Sequence, residues 1–219
     1  LEPGLSVVLS ITQLFFISLT SVFFLVDPIA AIPTFLVMTS TADQVQRRGM
    51  AKRAAFTCFI VLTAFGLGGT LIFRVFGITL PAFKIAGGII LLLIGLDMLQ
   101  ARRSTTKESP GEAEEGSEKE DVGIIPLGIP MLAGPGSISA VMVLVSQSQS
   151  WLQTVPIFVA IALTAAAAYL ILAGADGVRH YLGNTGIRIL MRLMGLLLMA
   201  IAVQFMLNGL TDVGLIHLK

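Results

Sequence analysis

The chain has 219 residues, of which 55% are hydrophobic and only 12% charged, with a net charge of +1 and a mean hydropathy of +0.91. Soluble domains carry about a quarter charged residues, so this composition excludes an ordinary soluble globule. The near-neutral balance gives no basic surface for nucleic acid, which is not an expected partner.

Charge is absent where a membrane would require it. Between Glu2 and Asp43 the only charged residue is Asp27, and none lies between Asp121 and Asp176. About 20 helical residues cross a hydrocarbon core of roughly 30 Å, so these runs are long enough to span a bilayer. A transmembrane β-barrel would alternate polarity within short segments, whereas Ile89-Ile90-Leu91-Leu92-Leu93-Ile94 is apolar throughout. No basic segment precedes the first apolar run, and no cleaved targeting peptide is expected. Cys58, the single cysteine, allows no intrachain disulfide and reads as a small packed residue.

Taken in chain order, six apolar spans are predicted, at about 12 to 40, 54 to 73, 78 to 100, 122 to 146, 152 to 175 and 187 to 210. The first holds Asp27-Pro28 and Pro33 near its middle. Asp is a preferred N-cap and Pro suits the first helical position, so a new half-helix is expected to start at Pro28. Pro33 would free the carbonyl of Ile29. Spans two and three follow, the third carrying Lys84, Gly87, Gly88, Gly95 and Asp97. Snorkelling to the interface is the plain reading of Lys84, and close helix packing that of the glycines.

Residues 101–121 include the polar run "STTKESPGEAEEGSEKED" and are expected to form a flexible cytoplasmic tether. This linker separates a first three-helix repeat, 1–100, from a second, 122–219. Span four contains Gly134-Pro135-Gly136, and it too should break at mid-span, with Pro130 freeing the carbonyl of Pro126. The Ser146–Ser150 stretch divides span four from span five, where Ala162 and Ala166 suit close packing. Span six carries Arg192, and Gln204 and Asn208 share one of its faces. Of the 14 basic residues, 11 lie after span one, between spans three and four, or between spans five and six. The positive-inside rule therefore sets both termini outside and the linker in the cytoplasm.

A shift of 107 aligns Asp27-Pro28 with Gly134-Pro135, and a shift of 108 aligns Lys84–Leu99 with Arg192–Leu207. With three crossings per half, the halves enter the membrane from opposite sides. The expected fold is thus an all-α integral membrane protein of six transmembrane helices, arranged as two inverted three-helix repeats with broken first and fourth helices.

Such breaks need burial in protein or a polar cavity, because an unsatisfied backbone group in hydrocarbon costs several kcal/mol, by order of magnitude. They also bring complementary chemistry. The amides of Gly136, Ser137 and Ile138 can offer N–H groups to a carboxylate, and ionised Asp27 can face an ammonium. Together they suit a zwitterion. Asp27, Pro28, Gly134, Pro135, Gly136 and Ser137 form the expected binding set, with Thr20, Ser21, Thr34 and Ser139 as wall residues. Two compatible readings of Asp27 stay open: capping its own half-helix, and handling substrate or protons. No phosphate loop, nucleophile triad or zinc spacing is present, and His180 and His217 lie outside the spans. Neither an enzyme, a metal centre nor a cofactor is expected.

At two motifs, "DPIAAIPTFLVMTS" (27–40) and "IPLGIPMLAGPGSIS" (125–139), and over "KIAGGIILLLIGLDMLQ" (84–100), the sequence resembles the MarC family of membrane proteins. That family is also called the neutral amino acid transporter family and is related to the LysE group of exporters. The resemblance implies a six-helix protein of the prokaryotic plasma membrane that transports small neutral amino acids such as glycine or alanine, with protons as a coupling ion. An ion or metal carrier and a non-transporting scaffold are the competing readings.

Overall fold

A computed structural model describes residues 3–40, 42–100, 124, 127–148 and 150–215. The expected tether at 101–121 and the Pro126 carbonyl lie outside the described residues. Those residues form α1 (Pro3–Val26), α2 (Ile32–Met38), α3 (Gln44–Phe76), α4 (Leu80–Leu99), a π-helical turn α5 (Leu127–Leu132), α6 (Pro135–Ser146), α7 (Trp151–Ala173) and α8 (Ala175–Asp212). Among them, four stretches are long and apolar enough to cross a membrane alone: Gln44–Gly69, Leu80–Leu99, Trp151–Ala173 and Thr185–Asp212. Ile11–Val26 and Pro135–Ser146 are equally apolar but shorter, about 24 and 18 Å at helical rise.

Local sequence accounts for the ends. Asp43 caps α3 with a reciprocal box: the Gln46 amide donates to Asp43 Oδ1 at 2.8 Å, and the Asp43 amide to Gln46 Oε1 at 3.1 Å. Gly77, in the left-handed region with φ 63°, closes the same helix, and Ile78 N–H returns to the Phe73 carbonyl at 3.0 Å. Thr79 then caps α4, accepting from the Ala82 amide. In α8, Gly183 at φ 62°, ψ 174° interrupts the helix ahead of the crossing segment.

Helix α4 packs along α8, α3 along α7, α1 against α7, and α6 against both α3 and α4. The α4–α8 seam is antiparallel and built on small residues. A Cβ at Gly95 would lie 3.0 Å from the Gly195 carbonyl oxygen, one at Gly195 2.8 Å from the Gly95 carbonyl oxygen, and one at Gly88 2.8 Å from the Ala202 carbonyl oxygen. Gly88 and Gly95 on one helix, and Gly195, Ala202 and Gly209 on the other, recur every seven residues, so the backbones meet along a continuous line. The packing role expected of Gly88 and Gly95 is seen directly, whereas Gly87 faces Ser139 on α6.

Two ion pairs join the halves at opposite ends. Arg47 at the start of α3 pairs with Asp176 at the start of α8, bringing together two segments that the charge pattern assigns to one face. Lys84 is not a snorkelling residue: it is buried, and its Nζ donates to Asp212 at the end of α8 at 2.6 Å. Large apolar side chains such as Leu71, Val75, Leu170 and Leu196 are exposed on the outer surface, the pattern of a helix bundle whose solvent is lipid.

Candidate functional site

Both expected breaks are present, and they are built differently. Helix α1 ends when Asp27 adopts φ 50°, the only non-glycine residue with positive φ among those described. Its N–H donates to the Phe23 carbonyl at 3.0 Å, the left-handed closure that glycine usually provides and that aspartate tolerates better than most residues. The same residue's Oδ1 accepts from the Ala30 amide at 3.3 Å. Asp27 therefore terminates one helix and caps the turn after it, which corrects the expectation of a helix starting at Pro28. That turn runs through Ala31, and α2 starts at Ile32, because a left-handed Asp27 redirects the chain before helix can resume. Pro33 occupies the first turn of α2, where a missing N–H costs nothing, and the Ile29 carbonyl is not free but accepts from Ile32 N–H at 3.1 Å.

In the second break, the Ala133 and Ile129 amides donate to the carbonyls of Gly128 and Ile124, five residues back, around an extended Ile129. Gly134 is then an extended N-cap with no side chain to cap α6, and Pro135 takes the first helical position. Ile138 N–H is used within the helix, bonding the Gly134 carbonyl at 3.0 Å, so the uncapped positive end of α6 is carried by Gly136 and Ser137. The Ser137 hydroxyl donates into the break itself, shared between the carbonyls of Leu132 at 3.1 Å and Gly134 at 3.0 Å.

Asp27 is 2% exposed and Ser137 1%, and Pro28, Gly134 and Gly136 are buried with them. Val26, Ala31 and Ile32 around the first break belong to the same apolar core cluster as Leu132 and Ala133 around the second. Both breaks are thus bordered by residues of one apolar core, a low-dielectric setting in which a charge or helix end acts far more strongly than in water. Their polarities are opposite. The first presents a carboxylate at the carbonyl end of α1; the second presents uncapped amides at the N-terminus of α6.

The wall residues divide. Thr34 and Ser139 are buried, Ser21 is half-buried, and Thr20 is exposed and turned away from this interior. Gln204 and Asn208 share a face as expected but bond each other at 2.8 Å on an exposed surface. Asp97 is half-buried, and Arg192 and His180 are exposed. Among the described residues, no group of three His, Cys, Asp or Glu side chains could hold a metal. Cys58 is buried in the core.

Two features escaped the sequence reading. Arg47, besides pairing with Asp176, donates to the Thr39 carbonyl at 3.0 Å and so holds the end of α2. Ser18 on α1 is fully buried, and its hydroxyl has no partner among the described residues. Neither could be found without knowing which helices meet.

A family model described as MarC family integral membrane protein matches residues 12–213. A UPF0056 membrane protein of Methanocaldococcus jannaschii is 40% identical over 90% of this chain and 96% of its own length. Another from Aquifex aeolicus is 36% identical, covering 91% and 93%. The UPF0056 membrane protein YhcE of Escherichia coli is 35% identical over 91% of each. No solved structure matches the chain.

Proposed function

We propose that this chain, which belongs to the MarC family of integral membrane proteins, is a secondary transporter of small neutral amino acids of the glycine and alanine class. The observation that carries this reading is the pair of buried breaks with opposite polarity. A zwitterion's ammonium is complementary to Asp27 and the carbonyl end of α1, and its carboxylate to the Gly136 and Ser137 amides of α6. An apolar interior admits such a ligand only if both charges are met at once, which discriminates against simple cations and anions.

The six-span inverted repeat is part of the same reading. Exchanging α1–α4 for α5–α8 turns the contact of α1 with α7 into that of the broken fourth span, α5 and α6, with α3, and returns α3 with α7 and α4 with α8 onto themselves. This exchange supports a pseudo-twofold relation between the halves, the architecture on which alternating access by rocking is built. The basic residues favour a plasma-membrane orientation with the 101–121 linker in the cytoplasm. Proton coupling through Asp27 is consistent with a buried carboxylate in a membrane interior.

The test is uptake of labelled glycine and alanine into proteoliposomes, with and without an imposed pH gradient, for the native protein and Asp27→Asn. Native uptake that the gradient stimulates and the variant loses is the expected result. Folded native protein that takes up no neutral amino acid overturns the assignment, and thermal stabilisation in detergent by divalent cations alone redirects it to ion transport.

A further inference from the structure

A cleft of about 260 Å³ opens between α1, the end of α6 and the start of α7, well away from the breaks. Gln13 on α1, Gln147 and Ser148 after α6, and Gln153 in the first turn of α7 supply its polar lining; Leu14 and Leu144 supply part of its apolar lining. Liquid water occupies about 30 Å³ per molecule, so the cleft has room for a solute of several heavy atoms but is smaller than drug-sized pockets. It lies near the aqueous boundary, since Trp151, 69% exposed at the first residue of α7, is of the type that sits at headgroup level.

The lining contains no ionisable side chain. Each of its three carboxamides both donates and accepts, and the Ser148 hydroxyl, which donates to the Leu144 carbonyl at 3.2 Å, keeps its acceptor capacity. Two helix ends also meet here with opposite dipoles. The carbonyl end of α6 closes at Gln147, and α7 begins after Ser150 with no side-chain cap on its first amides. Such a wall attracts an ammonium at one edge and a carboxylate at the other while adding no net charge.

Between the cleft and the breaks the passage is closed. Gln13 stands 14 residues, about 21 Å of helix, before Asp27, and α1 packs against α6 and α7. Within that interval Ser18 shares a helix face with Leu14, Val22 and Leu25, and its buried hydroxyl has no partner among the described residues. Leaving such a group unsatisfied costs roughly 1–3 kcal/mol. The cost is relieved when α1 moves and a polar molecule reaches this face.

We infer that the Gln13–Gln147–Gln153 cleft is a first binding site that receives the neutral zwitterion before the α1–α6 contact opens, an inference that rests on the transport reading above. Its substrate class is therefore that of the inner site, selected by carboxamides and helix ends rather than by a carboxylate.

The test uses the full chain in proteoliposomes with labelled glycine. Gln147→Leu and Gln13→Leu are expected to raise KM about fivefold while changing the maximal rate by less than about twofold, and Gln147→Asn to stay near the native KM. In detergent, Asp27→Asn protein is expected to keep a glycine-dependent rise in Tm, which added Gln147→Leu abolishes. Native protein that transports glycine while both Leu variants keep the native KM overturns the cleft but not the transporter. A native protein without uptake of any neutral amino acid overturns the transporter itself.

Discussion

Lys84 and Asp212 meet at 2.6 Å, tying the second turn of α4 to the last turn of α8. The lysine side chain is 5% exposed and its partner 39%, so the pair is desolvated on one side only. Asp212→Asn leaves a buried ammonium with a weaker partner. Allowing for solvent screening at Asp212, it should cost about 1–2 kcal/mol. Lys84→Met added to Asp212→Asn should recover most of that loss in thermal unfolding in detergent; equal Tm values for the single and double variants would sink the account.

Asp27 carries two separable properties, a left-handed backbone and a carboxylate. Asp27→Asn and Asp27→Gly both tolerate φ 50° and are expected to fold, with Asp27→Asn also keeping an oxygen for the Ala30 amide. Asp27→Val has neither advantage and should lose roughly 1–3 kcal/mol. Transport should vanish in all three. A folded Asp27→Gly protein with native uptake would show that the charge is not used.

Gly136 and Gly195 are both crowded, but against different neighbours. A Cβ at Gly136 would come 2.4 Å from Leu91 Cδ2, the end of a movable side chain. Gly136→Ala should therefore destabilise by about 1–3 kcal/mol and be partly rescued by Leu91→Val. At Gly195 the obstacle includes the Gly95 carbonyl at 2.8 Å. Trimming a neighbouring side chain should not rescue Gly195→Ala, which a thermal-shift comparison of the two double variants checks.

Arg47 links the Thr39 carbonyl to Asp176. Only a forked guanidinium serves both partners, so Arg47→Lys is expected to behave like a loss. Hydrogen exchange should quicken at the C-terminal end of α2, with little change along α4. Unchanged exchange at Thr39 and Ser40 would show that this residue does not hold the half-helix.

Much of this arrangement was legible in the chain. Proline and glycine at 27–28 and 134–136 marked both breaks because turn chemistry is local; the second, third, fifth and sixth expected spans coincide with helices long enough to cross a membrane, and the first and fourth with shorter apolar helices. The start of α2 was not legible. Whether Asp27 opens a helix or closes one depends on its φ, and both roles use the same residue types. The Lys84–Asp212 and Arg47–Asp176 pairs were hidden for another reason: each joins residues more than a hundred positions apart, and only the packing of α4 or α3 on α8 brings them together. The glutamines of the cleft were visible only as a polar boundary, since their convergence is also tertiary.

The line along which α4 and α8 touch backbone to backbone acts as a mechanical constraint. Elsewhere in the bundle, side chains separate neighbouring helices and can change rotamer as those helices slide. Along Gly88, Gly95, Gly195 and Gly209 there is no such cushion, and a one-residue slip of about 1.5 Å would drive carbonyls and the Met199 and Met206 side chains into main chain. The two helices are thus pinned as a single beam, and any rearrangement of the broken helices has to take place against a pair that moves as one body.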